Sequence, residues 1–321
     1  MGKFWEAIAT QLGSDWASRV LLPSFMFGAL GLLAFALGPW LSIDQFTSTV
    51  CKVQGLNTVL LGALLVVGLI GLFLCGLITD QLTAPFLRLL QGYWPDWPVL
   101  NELWLALIGW QEKKRVNMNR DWQKLAKQQL AGTLDRAGAR TYARLDDRMH
   151  RLPAKPLDVM PTRLGNILKA GETRPENKYG LDAYVCWARM WLLLDKDLKE
   201  ELTAARAALD NAVRALMWGL LALIWITFAW WVVLPAGVAI FVAWQAILAA
   251  AETYADMLEG SFDTHRRLLY DALAWPKPAS PAEEQALGEQ ITKYLYRGDD
   301  APLPRFTDGK PPAVGGDTGW V

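Results

Sequence analysis

Acidic side chains recur at helical spacing where the last apolar stretch of the chain ends. The stripe steps by 4, 3, 4, 3 and 4 residues through Gln245, Ala249, Glu252, Asp256, Glu259 and Asp263, and so occupies one side of a helix. Counted from Val238 at about 1.5 Å per residue, Glu252 lies roughly 21 Å along that helix, within a hydrocarbon core of about 30 Å. Because a carboxylate that faces lipid costs about 2.5 kcal/mol or more, Glu252 must face protein, a cation or water.

Two interpretations of these acids stay open. In the first, several copies of the chain bring Gln245, Glu252, Asp256 and Glu259 together around an axis, and the carboxylates attract cations as in an ion channel. In the second, Glu252 and Asp256 pair with arginines of the helical cytoplasmic domain, or reach the lipid headgroups. Proton-coupled transport has less support, because four spans show no internal repeat.

Four apolar stretches are long enough, or nearly so, to cross a bilayer as helices. They are residues 20–43, 56–78, 215–233 and 238–251, and the last reaches full length through Glu252 and Tyr254. Only Leu234-Pro235-Ala236-Gly237, a predicted turn, separates the third stretch from the fourth. With 53% hydrophobic residues and 17 Trp, the sequence predicts an all-α membrane protein with four transmembrane helices in two hairpins and a helical cytoplasmic domain.

Charge sets the expected orientation and domain organisation. Basic residues outnumber acidic ones between the two hairpins, while the loop 44–55 carries a single Lys52, so both termini are expected in the cytoplasm. No cleavable signal peptide is expected before the first span. The predicted domains are an amphipathic segment (1–19), a transmembrane hairpin (20–79), a helical cytoplasmic domain (80–213), a second hairpin (214–256) and a tail with one helix and a mobile end (257–321).

Small residues predict how the first two spans pack. One stripe, Gly68, Gly71, Cys75 and Thr79, lies on the second span, and another, Ser24, Gly28 and Gly31, lies on the first. Small side chains let helices approach closely in a membrane, so we expect these two stripes to face each other. A leucine and alanine seam from Leu194 to Leu216 predicts one continuous helix that enters the third span.

Arginines mark a second candidate surface between the hairpins. A long helix is predicted from about residue 119 to 151, and Arg136, Arg140, Arg144 and Arg148 step by four along it. Guanidinium groups match the phosphates of lipid headgroups or of a nucleotide. The alternative is a solvated face that is balanced by Asp135, Asp146 and Asp147. The preceding apolar segment, 100–110, is either a helix in the headgroup layer or a buried core helix.

Three short motifs follow: Pro-Thr-Arg-Leu-Gly-Asn at 161–166, Lys-Tyr-Gly-Leu-Asp-Ala at 178–183, and Trp-Ala-Arg-Met-Trp at 187–191. Together they resemble an uncharacterised family of bacterial multi-pass membrane proteins, although Ala188 stands where that family's pattern has proline. The resemblance implies a bacterial inner membrane protein and implies no particular activity.

The same motifs hold polar residues that a fold-back would bring together. They are Arg163, Asn166, Tyr179, Asp182 and Arg189. We expect Gly171 to end a short helix, and Asp182 to cap the next helix and pair with Arg189. The resulting cluster is interpreted as a structural clasp, with a ligand pocket as the alternative.

The sequence offers little support for catalysis. Three cysteines and two histidines form no cluster typical of zinc or haem, so no cofactor is expected. Neither a nucleophile beside a base nor a phosphate-binding glycine loop occurs, and no nucleic-acid-reading module is present. The predicted function is an oligomeric membrane channel or pore-forming effector. The predicted partners are the bilayer, further copies of the chain, and a cytoplasmic protein or small ligand. The alternative is a non-conducting membrane scaffold whose cytoplasmic domain recruits a partner.

Overall fold

The computed structural model describes residues 15–38, 57–298 and 306, with side chains from residue 23 onward except Thr58. These residues form helices and no strands. The α-helices are α1 (Asp15–Ala36), α2 (Thr58–Gln91), α3 (Pro98–Leu130), α4 (Arg136–His150), α5 (Arg163–Tyr179), α6 (Ala183–Leu193), α7 (Lys196–Ala222), α8 (Val233–Ala272) and α9 (Pro281–Arg297). Short 3-10 helices occupy Pro156–Asp158, Leu223–Thr227 and Trp230–Val232.

Three helical stretches are long and apolar enough to cross a membrane: Val59–Gln91, Lys196–Thr227 and Trp230–Ala272. The described part of the chain is thus all-helical, and its long apolar helices support a membrane protein. The predicted first span has a shorter apolar helix, Pro23–Ala36, and its last residues, 39–43, lie outside the described part of the chain. Four spans in two hairpins are therefore not confirmed, and the predicted amphipathic residues 1–14 also lie outside the described ranges.

The chain forms two compact units. Unit 1 comprises residues 1–89 and 207–250, and unit 2 comprises residues 90–206 and 251–321. Unit 1 therefore holds α1, nearly all of α2, the end of α7 and the first part of α8. Unit 2 holds α3 to α6, α9 and the remaining parts of α7 and α8.

In unit 1, α1 packs against aromatic residues of the α7 region. The ring of Phe27 lies 5.5 Å from the ring of Trp218 and 5.1 Å from that of Trp225. A Cβ atom at Gly31 would lie only 2.5 Å from the Trp225 ring, so glycine lets the indole reach the helix backbone. An ion pair also joins Arg214 of α7 to Asp80 of α2 at 2.6 Å.

The predicted contact between two small-residue stripes is only partly present. A Cβ atom at Gly28 would lie 3.0 Å from Leu72 of α2, so α1 does approach α2 there. On α2, however, the Cβ positions of Gly68 and Gly71 have no described atom within 4 Å. The two glycines of the α2 stripe therefore do not contact α1, and only 6% of the most apolar part of α2 is buried by described residues.

The predicted turn at Leu234-Pro235-Ala236-Gly237 is wrong. These residues belong to α8, which begins at Val233, and the helices break instead around Phe228 and Ala229. Pro235 lies in the first turn of α8, where backbone amides have no partner within the helix and proline costs little. The expected continuous helix after Leu194 is confirmed as α7, with Leu202, Leu209 and other seam residues buried.

The predicted single helix from 119 to 151 is also wrong, because the chain breaks between α3 and α4. Gly132 has a φ of +67°, which favours glycine, and Asp135 caps α4 by accepting a hydrogen bond from the Gly138 amide at 2.8 Å. The two helices stay in contact, since the Trp122 and Tyr142 rings stack with centroids 5.7 Å apart. They form a helical hairpin, called here the α3–α4 hairpin.

The core of unit 2 lies among α5, α6, α9 and the second part of α8. Its buried residues include Leu181, Cys186, Met190, Phe262 and Tyr270. The predicted cap at Asp182 is confirmed, since its carboxylate accepts a hydrogen bond from the Tyr184 amide. Ser280 caps α9 in the same way by accepting from the Glu283 amide. The expected helix end at Gly171 is wrong, since α5 continues to Tyr179 and ends at Gly180.

Candidate functional site

The acidic stripe, defined as Glu252, Asp256, Glu259 and Asp263 on α8, faces other helices of unit 2. Each of its four carboxylates contacts a basic side chain of that unit. The partners come from α5 and from the residue that follows α4. This is the pairing that the second interpretation of the sequence described for Glu252 and Asp256.

Glu259 lies at the centre of these contacts. One of its oxygens accepts a hydrogen bond from Arg174, and the other accepts one from Lys178. The side chains of Glu259 and Arg174 are only 10% and 11% exposed. A buried charge of this kind is stable only when it is paired, so the two cations are what allow Glu259 to remain ionised.

The two acids that precede Glu259 are paired in less buried positions. Asp256 accepts a hydrogen bond from Arg151, with 2.5 Å between Oδ1 and Nη1. Glu252 lies 3.4 Å from the guanidinium of Arg163, and that arginine side chain is mostly exposed. The pairing is therefore tightest in the middle of the stripe and loosest at Glu252.

The last acid of the stripe connects α8 to the end of α5. Asp263 accepts a 2.6 Å hydrogen bond from the Tyr179 hydroxyl and lies 3.4 Å from Lys178. Arg266, one turn further along α8, lies over the Tyr179 ring and bonds Glu284 of α9 at 2.7 Å. The polar contacts thus continue from the stripe into the third helix of the core.

A close approach of two helices brings these charges together. A Cβ atom at Gly171 would lie 2.8 Å from the Cβ of Ala255, so α5 and α8 touch through small residues. Thr162 caps α5 by accepting from the Gly165 amide at 2.9 Å. Arg163 pairs with Glu252, and the later residue Arg174 pairs with the later residue Glu259. Because the residue numbers rise together on both helices, α5 and α8 run in the same direction.

His150 lies beside two acids of the stripe, and these three residues are of the types that bind metal ions. Ligand atoms of His150, Asp256 and Glu259 lie within 4.8 Å of one another. However, Arg151 bonds Asp256, and Arg174 and Lys178 both bond Glu259. A metal ion at this position would have to displace cations that already neutralise the carboxylates, so we interpret the group as part of the ion-pair network.

Burial and charge shift two pKa values at the network. Burial disfavours the charge of Lys178, but the hydrogen bond to Glu259 and the charges of Glu259 and Asp263 raise the pKa of its ammonium group above the ordinary value. Burial first, and then the charge of Arg174, lower the pKa of His150. Lys178 is therefore charged at neutral pH and His150 is mostly neutral.

The predicted pore-lining residues do not share one environment. Gln245 is exposed and belongs to unit 1, whereas Glu252, Asp256 and Glu259 belong to unit 2 and carry the ion pairs described above. Asp256 keeps about half of its side chain exposed, while Glu259 keeps very little.

The predicted polar cluster is not assembled as one site. Asn166 bonds the backbone of Met160 through both its oxygen and its nitrogen. Arg189 donates to the carbonyl oxygen of Val185 at 2.8 Å, whereas the Asp182 carboxylate caps α6. The expected pair of Asp182 with Arg189 is therefore replaced by two local contacts. Arg163 and Tyr179 do belong to one network, because they bind Glu252 and Asp263 of the acidic stripe.

A groove of about 490 Å³ opens between the start of α6 and the end of α9. Its lining residues are Asp182, Tyr184, Val185, Thr292, Lys293, Tyr296 and Arg297. Both tyrosines are exposed, Tyr184 by 90%, and the two basic residues stand on the α9 side. We call this the α6–α9 groove.

No family model, curated protein or solved structure matches this chain. The family resemblance of residues 161–191 therefore stays a prediction, and the functional argument depends on the contacts themselves.

Sequence reasoning missed Arg151, Arg174 and Lys178 as partners of the stripe. A signal was present on α5, since Arg163, Arg174 and Lys178 are separated by 11 and 4 residues and so share one side of a helix. The basic side of α5 could have been matched to the acidic side of α8. The groove had no such signal, because α6 and α9 lie about 100 residues apart in the chain.

Proposed function

We propose that the chain is a non-conducting, non-enzymatic membrane scaffold in which unit 1 anchors the protein and unit 2 recruits a partner protein. The observation that supports this most is the pairing of the acidic stripe within unit 2. Its carboxylates are neutralised by the chain's own side chains. The charge bias of the sequence supports placing both termini in the cytoplasm of a bacterial cell.

A cation channel lined by the stripe is the weaker proposal. Rings of carboxylates attract cations only when their charge faces the pathway. Exposing Glu259 would require breaking its bonds to Arg174 and Lys178, and removing the partners of a buried charge is strongly destabilising. Asp256 is about half exposed but bonds Arg151, and Gln245, which is also exposed, carries no charge.

The α6–α9 groove is the surface we propose for the partner. Tyr184 and Tyr296 offer exposed aromatic rings, which are enriched at protein interfaces. Lys293 and Arg297 add positive charge, and the one acid of the groove, Asp182, already bonds the Tyr184 amide. An acidic peptide segment with an aromatic or apolar anchor complements this arrangement, so we propose a partner that presents such a segment.

Ion flux tests whether the protein conducts. The full chain is reconstituted into liposomes with a Na⁺ or K⁺ gradient, and flux is recorded at both signs of membrane potential. We expect the flux of protein-free liposomes. Flux above that level that falls in the variant Glu252→Gln/Asp256→Asn would contradict the scaffold and establish the channel. Flux above that level that is unchanged in the variant would contradict non-conduction, and it would also show that ions do not pass along the acidic stripe.

Peptide binding tests the groove. The full chain in detergent is titrated with synthetic acidic peptides that contain one aromatic residue, and Lys293→Glu/Arg297→Glu is compared with Lys196→Glu/Lys199→Glu on α7. Binding that weakens about tenfold only in the groove variant supports recruitment there. Equal weakening in both variants, or no binding at all, counts against it.

A further inference from the structure

A row of four arginines covers one side of α4. Arg136, Arg140, Arg144 and Arg148 are all exposed, and their spacing of four residues keeps them on one face of the helix. Within the described part of the chain, none of the four has a resolved ion pair. The row is therefore a concentrated positive surface.

The aspartates that were expected to balance this row are bound elsewhere. Asp135 accepts from the Gly138 amide, and Asp146 accepts from the indole nitrogen of Trp122 at 3.0 Å. Asp147 lies 3.8 Å from Arg151. The three aspartates keep their charge, but their described contacts are with other groups, and none is paired with an arginine of the row.

The first part of α3, before the residues that contact α4, presents apolar and aromatic side chains. Val99 is 79% exposed and Trp110 is 56% exposed, and Leu103 and Leu105 between them are exposed as well. Among the described residues, this exposure favours the helix in the headgroup layer over the buried core helix for residues 100–110. Lys114 lies over the Trp110 ring at 5.1 Å, so a basic group stands directly beside the aromatic one.

We propose that the α3–α4 hairpin lies on a bilayer and binds the phosphates of anionic lipid headgroups through the arginine row of α4. Guanidinium groups form paired hydrogen bonds with phosphate oxygens, and basic clusters near a membrane are attracted to anionic leaflets. Aromatic and apolar side chains beside basic ones are typical of helices in the headgroup layer. Three helical stretches of this chain are long and apolar enough to cross a membrane, so a bilayer surface is available to it. The inference does not depend on the α6–α9 groove or on whether the protein conducts.

The test measures lipid binding by the full chain in a neutral detergent. Native mass spectrometry or thermophoresis reports binding of short-chain phosphatidylglycerol, with phosphatidylcholine and inorganic phosphate as separate probes. The variant replaces Arg136, Arg140, Arg144 and Arg148 with Gln. The control removes four charges elsewhere in unit 2, from Lys196, Lys199, Arg267 and Lys277, also by Gln. A third variant replaces the four arginines with Lys.

We expect phosphatidylglycerol to bind more tightly than phosphatidylcholine, and the Gln variant of the row to weaken it at least about tenfold. The control should bind as the unmodified chain does, and the Lys variant should retain most of the affinity. Added salt should weaken binding, because exposed charges are screened. All variants should unfold at similar temperatures without lipid, since the substituted side chains are exposed or, at Lys199, half-buried.

Three results would overturn the proposal. Equal weakening in the row variant and the control would show attraction to overall charge only. Inorganic phosphate that binds as tightly as phosphatidylglycerol would point to a soluble phosphate ligand. Phosphatidylglycerol binding that survives in the Gln variant would show that the arginine row is not the site.

Discussion

Glu259 is the acid of the stripe with the least access to water, and its neighbours determine what it does. With Arg174 and Lys178 on its two oxygens, it is a fixed counter-charge between α5 and α8. Four acids at helical spacing were visible in the sequence. Whether they face cations of the same chain or a water-filled axis depends on which helix packs beside them, and spacing along one helix does not contain that information.

His150 predicts how the network responds to acid. Its pKa is lowered by burial and by Arg174 and Arg151, while Glu259 and Asp256 act in the opposite direction. The unfolded chain therefore binds a proton at His150 more tightly than the folded chain does. The stability that neutral His150 contributes to the folded chain is fully present above about pH 6.5 and is lost as the pH falls below it. We expect the unfolding temperature to fall less between about pH 7.5 and 5.5 in His150→Gln. Parallel curves for the two proteins would show that His150 does not report on the network.

Helix ends were predictable wherever a single side chain determines them. Asp182 caps α6 as expected, because an Asp oxygen satisfies a free backbone amide at that position, and Ser280 does the same for α9. The errors occurred where tertiary structure overrides a local signal. Pro235 looked like a turn residue but occupies the first turn of α8, and the α3–α4 break at Gly132 interrupts an otherwise helical pattern.

The crossing of α5 and α8 gives a prediction for the elements. Gly171→Ala places a methyl group 2.8 Å from the Ala255 Cβ, so the helices must move apart and the ion pairs loosen. We expect a loss of about 1–2 kcal/mol of unfolding free energy, measured by chemical denaturation in detergent.

Gly260→Ala is the matched control, because its Cβ position on α8 has no described atom within 4 Å. It should stabilise the chain by about 0.5–1 kcal/mol, as alanine does in a helix interior. If both variants gain stability, the close approach of α5 to α8 is not a constraint.

At the scale of the whole chain, composition was enough to predict a helical membrane protein, and three helical stretches of the structure have the length and apolarity to cross a bilayer. The candidate site was only half predictable. The acids on α8 followed from the sequence, but Arg151 lies 105 residues away along the chain from Asp256, and such long-range pairing is decided by the fold. The α6–α9 groove also joins segments that are distant along the chain, so its formation is likewise decided by the fold.

The most direct test of the account is a charge exchange between Arg151 and Asp256. Arg151→Asp and Asp256→Arg each place two like charges together and should lower the unfolding temperature of the full chain in detergent. The double variant restores an opposite pair, so it should recover much of the loss, with a coupling free energy of about 1 kcal/mol or more. If the two losses simply add in the double variant, the acidic stripe is not paired within the chain and the scaffold proposal loses its main support.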